Sequence, residues 1–215
     1  MTKFQMPTCL RPLLTLAAAA MVLAQSGCNV AQPAQDDPTR YFVLSDPAVP
    51  AGLSPSAAGA RIGLRSIRLE SYLRRREIVV RTGENEVEFR DFRRWAEPLD
   101  TAVARVLRAK LQALPGVAQV VTEPFPVDLD RDYDVTVEVR RCEGLASRSG
   151  HYAASFEATI EVSTTGSSPR VIARRAFSAP DAAWDGSDFD RLAALLSADV
   201  AGLGQEIAGA LPQRN

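Results

Sequence analysis

The apolar positions of this chain change period three times. Tyr41–Ser45 (YFVLS) is short, apolar and β-prone. Arg61–Leu69 alternates, with Ile62 and Leu64 on one face, and its phase shifts at Ser66, which predicts one strand with a bulge. Glu77–Arg81 and Glu86–Phe92 are two further strand patterns around the turn Thr82–Asn85, which predicts a hairpin. The period then becomes helical from Pro98 to Leu114, with Leu99, Ala102, Val103, Val106, Leu107 and Leu111 on one stripe. Pro98 suits a first turn, and Pro115–Gly116 stops the helix. Strand patterns return at Val117–Val121, Tyr133–Arg141, Tyr152–Ser163 and Val171–Ser178, the last two joined by a turn at Gly166–Pro169. A second helical stripe runs from Asp188 to Leu211, with Ser187 or Asp188 as its cap, while Gly202 and Gly204 make a kink possible.

The order ββββ-α-β-βββ-α predicts an α+β fold: a mixed or antiparallel β-sheet with two amphipathic helices packed on it. The mixed order also permits a small α/β arrangement around the first helix. At 215 residues the chain has material for one well-packed domain, expected over 41–215.

The first 27 residues are different. Lys3 and Arg11 make a positive start, and Leu13–Ala24 is an apolar run broken only by Thr15. Twelve helical residues rise roughly 18 Å, too little for a bilayer core of about 30 Å, so the run reads as a removed signal. Ser26-Gly27-Cys28 resembles the end of a bacterial lipobox, with Gln25 in the position usually held by Leu. Cys28 is therefore the expected lipidation site, and 28–40, polar and proline-bearing, the tether. Asn29 rather than Asp after the cysteine resembles lipoproteins sent on to the outer membrane. Cleavage after Ala24-Gln25-Ser26 is the plain alternative. Cys142 then has no partner if Cys28 carries lipid, and its strand-like surroundings predict a buried small hydrophobe.

Composition excludes more than it suggests. Removing Lys3 and Arg11 leaves 23 basic residues against 26 acidic, so no whole-protein attraction to nucleic acid is expected. The single histidine, His151, cannot build a His-based metal site, and it lies in a Gly-Ser loop where exposure is the ordinary outcome. There is no G-x-S-x-G elbow, phosphate-cradling glycine loop or C-x-x-C. Asp128–Asp134 (DLDRDYD) lacks the glycine and final glutamate of a calcium loop and reads as a solvated connector. No catalytic set, metal site or cofactor is expected beyond covalent lipid on Cys28.

Basic character gathers in two stretches. Ser71–Arg81 (SYLRRREIVVR) holds Tyr72, Leu73, Arg74, Arg75 and Arg76; Phe89–Asp100 (FRDFRRWAEPLD) holds Arg90, Arg93, Arg94, Trp95 and Glu97. Trp95 reads first as a core residue under the helix start, with the arginines balancing local acids. The alternative is a contact surface for a partner or lipid headgroups, because Arg, Tyr and Trp concentrate at interface hot spots.

Those stretches carry a family likeness. Tyr72-Leu73, Ile78-Val79-Val80-Arg81, a polar turn and a strand, then Arg94-Trp95-Ala96-Glu97-Pro98-Leu99 opening a helix, resemble the PqiC-like lipoproteins, auxiliary components of ABC-type transport systems. Two places depart from the family pattern: Glu70 stands where it commonly has Pro, and the stretch Arg74-Arg75-Arg76 where it commonly has Asp-Arg-Pro. The resemblance implies a non-enzymatic, lipid-anchored protein on the periplasmic face of the outer membrane of a Gram-negative bacterium. It implies a periplasmic mammalian-cell-entry (MCE) domain protein of an inner-membrane transport system as partner, a role in lipid movement and envelope integrity, and a homo-oligomeric ring. A stand-alone lipid-binding lipoprotein, an outer-membrane assembly factor and a hydrolase using His151 are the competing readings.

Overall fold

A computed structural model describes residues 36–45, 59–147 and 149–212. The expected signal, Cys28 and most of the tether lie outside the described residues. Residues Thr39–Asn215 form one compact unit.

The strands are β1 (Arg40–Phe42), β2 (Ala60–Leu64), β3 (Arg68–Leu69), β4 (Glu77–Gly83), β5 (Glu86–Trp95), β6 (Val117–Thr122), β7 (Tyr133–Ala146), β8 (Tyr152–Thr164), β9 (Val171–Ser178) and β10 (Ala182–Ala183). The helices are α1 (Leu99–Gln112) and α2 (Phe189–Ala210), and a 3-10 turn spans Ser71–Arg74. All ten described strands join one mixed sheet, so the α+β expectation holds.

The sheet is organised along β7. One edge of β7 takes β8 in a long antiparallel ladder from Tyr133–Thr164 to Ala146–Tyr152. Its other edge takes three parallel strands end to end: β2 at Tyr133–Val135, β3 at Glu138–Val139 and β4 at Gly144–Leu145. β6 flanks β2 in parallel, β5 flanks β4 antiparallel, and β1 closes that side parallel to β5. Beyond β8 lie β9 and the two-residue β10.

Arg61–Leu69 is therefore two strands rather than one bulged strand. From Leu64 to Arg68 the chain advances four residues, while β7 advances three, from Val135 to Glu138. The extra residue that shifted the phase at Ser66 opens the ladder. Arg65 N–H still donates to Val135 O (2.9 Å), and Ser66 turns its N–H and Oγ to Glu123 (3.1 and 2.8 Å).

β7 also continues past the expected end at Arg141. A register shift between Val139 and Arg141 reverses its phase. Val135, Val137 and Val139 are buried before it; Cys142 and Gly144 take over the inward face after it, where a Cβ on Gly144 would meet Trp184 at 2.8 Å.

The helices lie side by side on one face, α1 against β6 and α2 against β7, β8 and β9. Val103, Val106, Leu107, Leu111, Leu192, Leu196, Val200 and Leu203 meet Val137, Phe156 and Ile160 in one core. Asp188 caps α2, its carboxylate accepting from the N–H groups of Asp190 and Arg191 (both 3.1 Å). The possible kink does not occur: α2 is continuous, and Gly204 serves instead to let the Lys110 stem of α1 pack on its backbone. No described helix is long and apolar enough to cross a membrane.

Candidate functional site

The β4–β5 hairpin brings the two basic stretches together. The main-chain N–H of Trp95 donates to Arg76 O (2.7 Å), so the Arg74–Arg76 run ends beside Arg94 and Trp95. β1 then docks on β5, pairing Arg40 with Arg93, Tyr41 with Arg94 and Phe42 with Trp95.

Two of the expected contact residues prove to be core. Leu73 is 1% and Trp95 2% exposed. Their side chains have no free surface to offer, and the packing reading of Trp95 stands. Glu97 has an internal duty: it accepts from the Arg105 guanidinium (2.6 Å), which also donates to Leu44 O (2.8 Å). Ala96 N–H donates to Phe42 O (2.8 Å). The segment Arg94–Leu99 is thus a staple joining β1, β4, β5 and α1, which explains why these residue types sit together.

The others reach the surface. Arg74, Arg75 and Arg76 are exposed, and Arg94 is half-buried. Arg75 lies over the Phe89 ring (4.6 Å to the centroid) and near Glu77 (3.5 Å), which also faces Arg94 at 3.8 Å. Tyr72 covers a buried ion pair. Glu143 is fully buried and accepts from Arg81 Nε at 2.6 Å, while Arg81 also donates to Glu84 O and to Tyr72 Oη (3.1 and 3.3 Å). Tyr72 in turn donates to Arg140 O at 3.0 Å. Burial, reinforced by Glu143, pushes the phenol up to about 12, so it is a hydrogen-bond donor at neutral pH.

Sequence reasoning missed this Arg81–Glu143–Tyr72 group, because Glu143 sits past the phase reversal of β7. It also read Asp128–Asp134 as solvated. Asp134 is buried, receiving Arg65 (2.8 Å) and Arg131 (2.9 Å), and Asp132 receives the Arg61 main-chain N–H (2.8 Å) and guanidinium (3.1 Å). Asp132 and Asp134 tie the β2 region to the start of β7, while Asp128 and Asp130 are exposed as expected of a solvated connector.

An open groove of about 790 Å³ lies between the β4–β5 and β7–β8 turns, lined by Arg81, Glu84, Glu86, Arg141, Leu145 and His151 among others. It is open to solvent and lined mainly by polar residue types, unlike the enclosed apolar cavity that a lipid carrier needs. His151 is exposed on its rim. Cys142 is a buried free thiol whose pKa burial pushes up, an inert small hydrophobe as expected. Among the described residues, no group of three His, Cys, Asp or Glu side chains is placed to hold a metal ion.

Fold and surface describe an α+β sandwich whose charges are largely spent on its own ion pairs, with one cationic, aromatic edge left open. The chain belongs to the family of ABC-type transport auxiliary lipoprotein components, whose family model matches residues 42–208. A crystal structure of a protein from Xanthomonas campestris is similar at 19% identity and TM-score 0.65, covering 80% of this chain and 93% of that one. An uncharacterized protein of known crystal structure is similar at 20% identity and TM-score 0.59, over 80% and 97%. A PelC dodecamer from Paraburkholderia phytofirmans matches at 16% identity and TM-score 0.45, over 76% and 95%. At these identities the likeness is one of fold. No curated protein matches the sequence.

Proposed function

We propose that the protein is the outer-membrane, periplasm-facing lipoprotein subunit of an MCE-type transport system that moves lipids between the two membranes. Family membership over residues 42–208 carries the reading; the lipobox-like Ser26-Gly27-Cys28 and the open cationic edge agree with it. The role is docking rather than catalysis. Lipid on Cys28 fixes one end, 28–40 gives reach, and the domain, singly or in a ring, receives the tip of the periplasmic partner. A gentle cross-linked pull-down of the tagged, membrane-extracted protein tests it by mass spectrometry. Recovery of an MCE-domain protein with its permease or ATPase supports the reading. Recovery of the protein alone with bound lipid replaces it with a free-standing lipid-binding module, and recovery with outer-membrane assembly proteins replaces it with an assembly factor.

A further inference from the structure

The outer strands of the sheet are finished differently. On β6 the side chain of Gln112 from α1 closes the edge: its Oε1 accepts from Val120 N–H (2.9 Å) and its Nε2 donates to Ala118 O (3.3 Å). β1 is three residues long, and just beyond it Leu44 O accepts from Arg105 (2.8 Å) and Ser45 N–H donates to Ser197 Oγ (2.8 Å). β9 is eight residues long and pairs only with β8. In an antiparallel ladder alternate residues turn their N–H and C=O groups away from the partner strand, and among the described residues no other main-chain group bonds to those of β9.

The side chains along this open edge are aliphatic and cationic. Val171 and Ile172 are 51% and 40% exposed. As neighbours in a strand they point to opposite faces, so a strand added here meets an aliphatic group on each. Ala176 and Ser178 border an open notch of about 160 Å³ shared with Thr159, Glu157 and Arg140, room for a side chain of the added strand. The charges on β9 are all positive. Arg174 pairs with Glu161 on one face and Arg175 with Glu206 on the other, and both pairs are exposed, so neither holds its arginine firmly. Arg170, at the head of the strand, is exposed and forms no ion pair among the described residues.

We infer that β9 receives an extended segment of another protein by strand addition, and that this segment carries aliphatic residues together with Asp or Glu. An open main-chain edge is satisfied by another main chain, whose alternate side chains then give specificity. The charge decides which chain. Two copies of β9 paired along their length bring their Arg174 and Arg175 side chains together, and like charges facing across a ladder repel. The same arginines attract carboxylates, and β9 has no acid of its own to neutralise them. They therefore bar a second copy and admit an acidic strand. The inference needs neither lipid at Cys28 nor a particular transport system.

Detergent-purified full-length protein is used to select from a random library of linear peptides displayed on phage. An enriched peptide is then synthesised, and amide hydrogen exchange of the protein is followed by mass spectrometry. The expected peptides combine Val, Ile or Leu with Asp or Glu, slow exchange in 171–178 severalfold and leave β6 unchanged. Methylating one of the two alternating sets of peptide nitrogens, which removes the ladder donors, abolishes binding. Arg170→Glu weakens it severalfold while the thermal midpoint of the protein holds. No enrichment, peptides without acidic residues, binding that survives methylation of either set, or protection confined to other segments overturns the inference. So does slowing of 171–178 that grows with protein concentration in the absence of peptide, because the edge then belongs to a second copy.

Discussion

Glu143 has no solvent contact, and its stability depends on Arg81. Arg81→Leu leaves a buried carboxylate without its counter-charge and is expected to cost about 3–5 kcal/mol. Adding Glu143→Leu recovers most of that loss, because the pair as a whole is replaced by apolar volume. Urea titration of the single and double variants measures both. Asp199 on α2 poses the opposite case. One of its carboxylate oxygens is buried without a hydrogen-bond partner, and burial, then repulsion from Asp181, pushes its pKa up to about 6. The folded protein therefore holds this proton up to about pH 6, while the unfolded chain releases it near 3.8. Stability falls as pH rises between those values, and the cost is complete above the folded pKa. Asp199→Asn is expected to stabilise at pH 7 by about 1–2 kcal/mol, the full shift being discounted for partial solvent screening. The gain vanishes below pH 4, and denaturation midpoints at the two pH values check it.

At the scale of elements, most of the pattern was legible, and the exceptions share one cause. α1 and α2 fall where the helical stripes place them, each burying one stripe, and β4, β5, β8 and β9 follow their alternating or β-branched runs. Periodicity fails where the buried face changes sides. The phase step at Ser66 is real but divides β2 from β3, and the shift after Val139 hides the last residues of β7, with Cys142 now on the helix-packed face and Glu143, itself buried, on the opposite one. β10 is too short to carry a period. For the candidate surface, the arginines were legible as composition, whereas the placing of Tyr41 beside Arg94 depends on the parallel β1–β5 pairing, which no local pattern encodes. The same limit hides Gly144: its place beneath Trp184 and Leu192 shows only once α2 lies on β7. Gly144→Val forces those side chains apart and is expected to destabilise by about 1–3 kcal/mol. A lowered thermal midpoint with unchanged far-ultraviolet circular dichroism is the readout; an unchanged midpoint means that the helix yields freely.

For the whole molecule, the expected attachment point and the described core lie in separate parts of the sequence. Cys28 precedes the compact unit, and among the described residues every buried core residue lies at or beyond Phe42. Cys28→Ser is expected to release the protein from the membrane fraction while its thermal melting stays unchanged; fractionation and calorimetry of the same preparation decide it, and a variant still sedimenting with the outer membrane removes the anchor. The architecture of β7 also dictates an order of events. β2, β3 and β4 all precede it in the chain, yet each needs its edge to complete a ladder. Up to Thr122 the only ladders available are the β4–β5 hairpin, β1 on β5, and β2 with β6. A chain emerging N-terminus first must therefore leave one edge of β2, one edge of β4 and all of β3 unpaired until the residues through Ala146 have arrived. Such long-range parallel pairing closes slowly, so the apolar faces of these strands stay open for longer than the size of the domain alone requires.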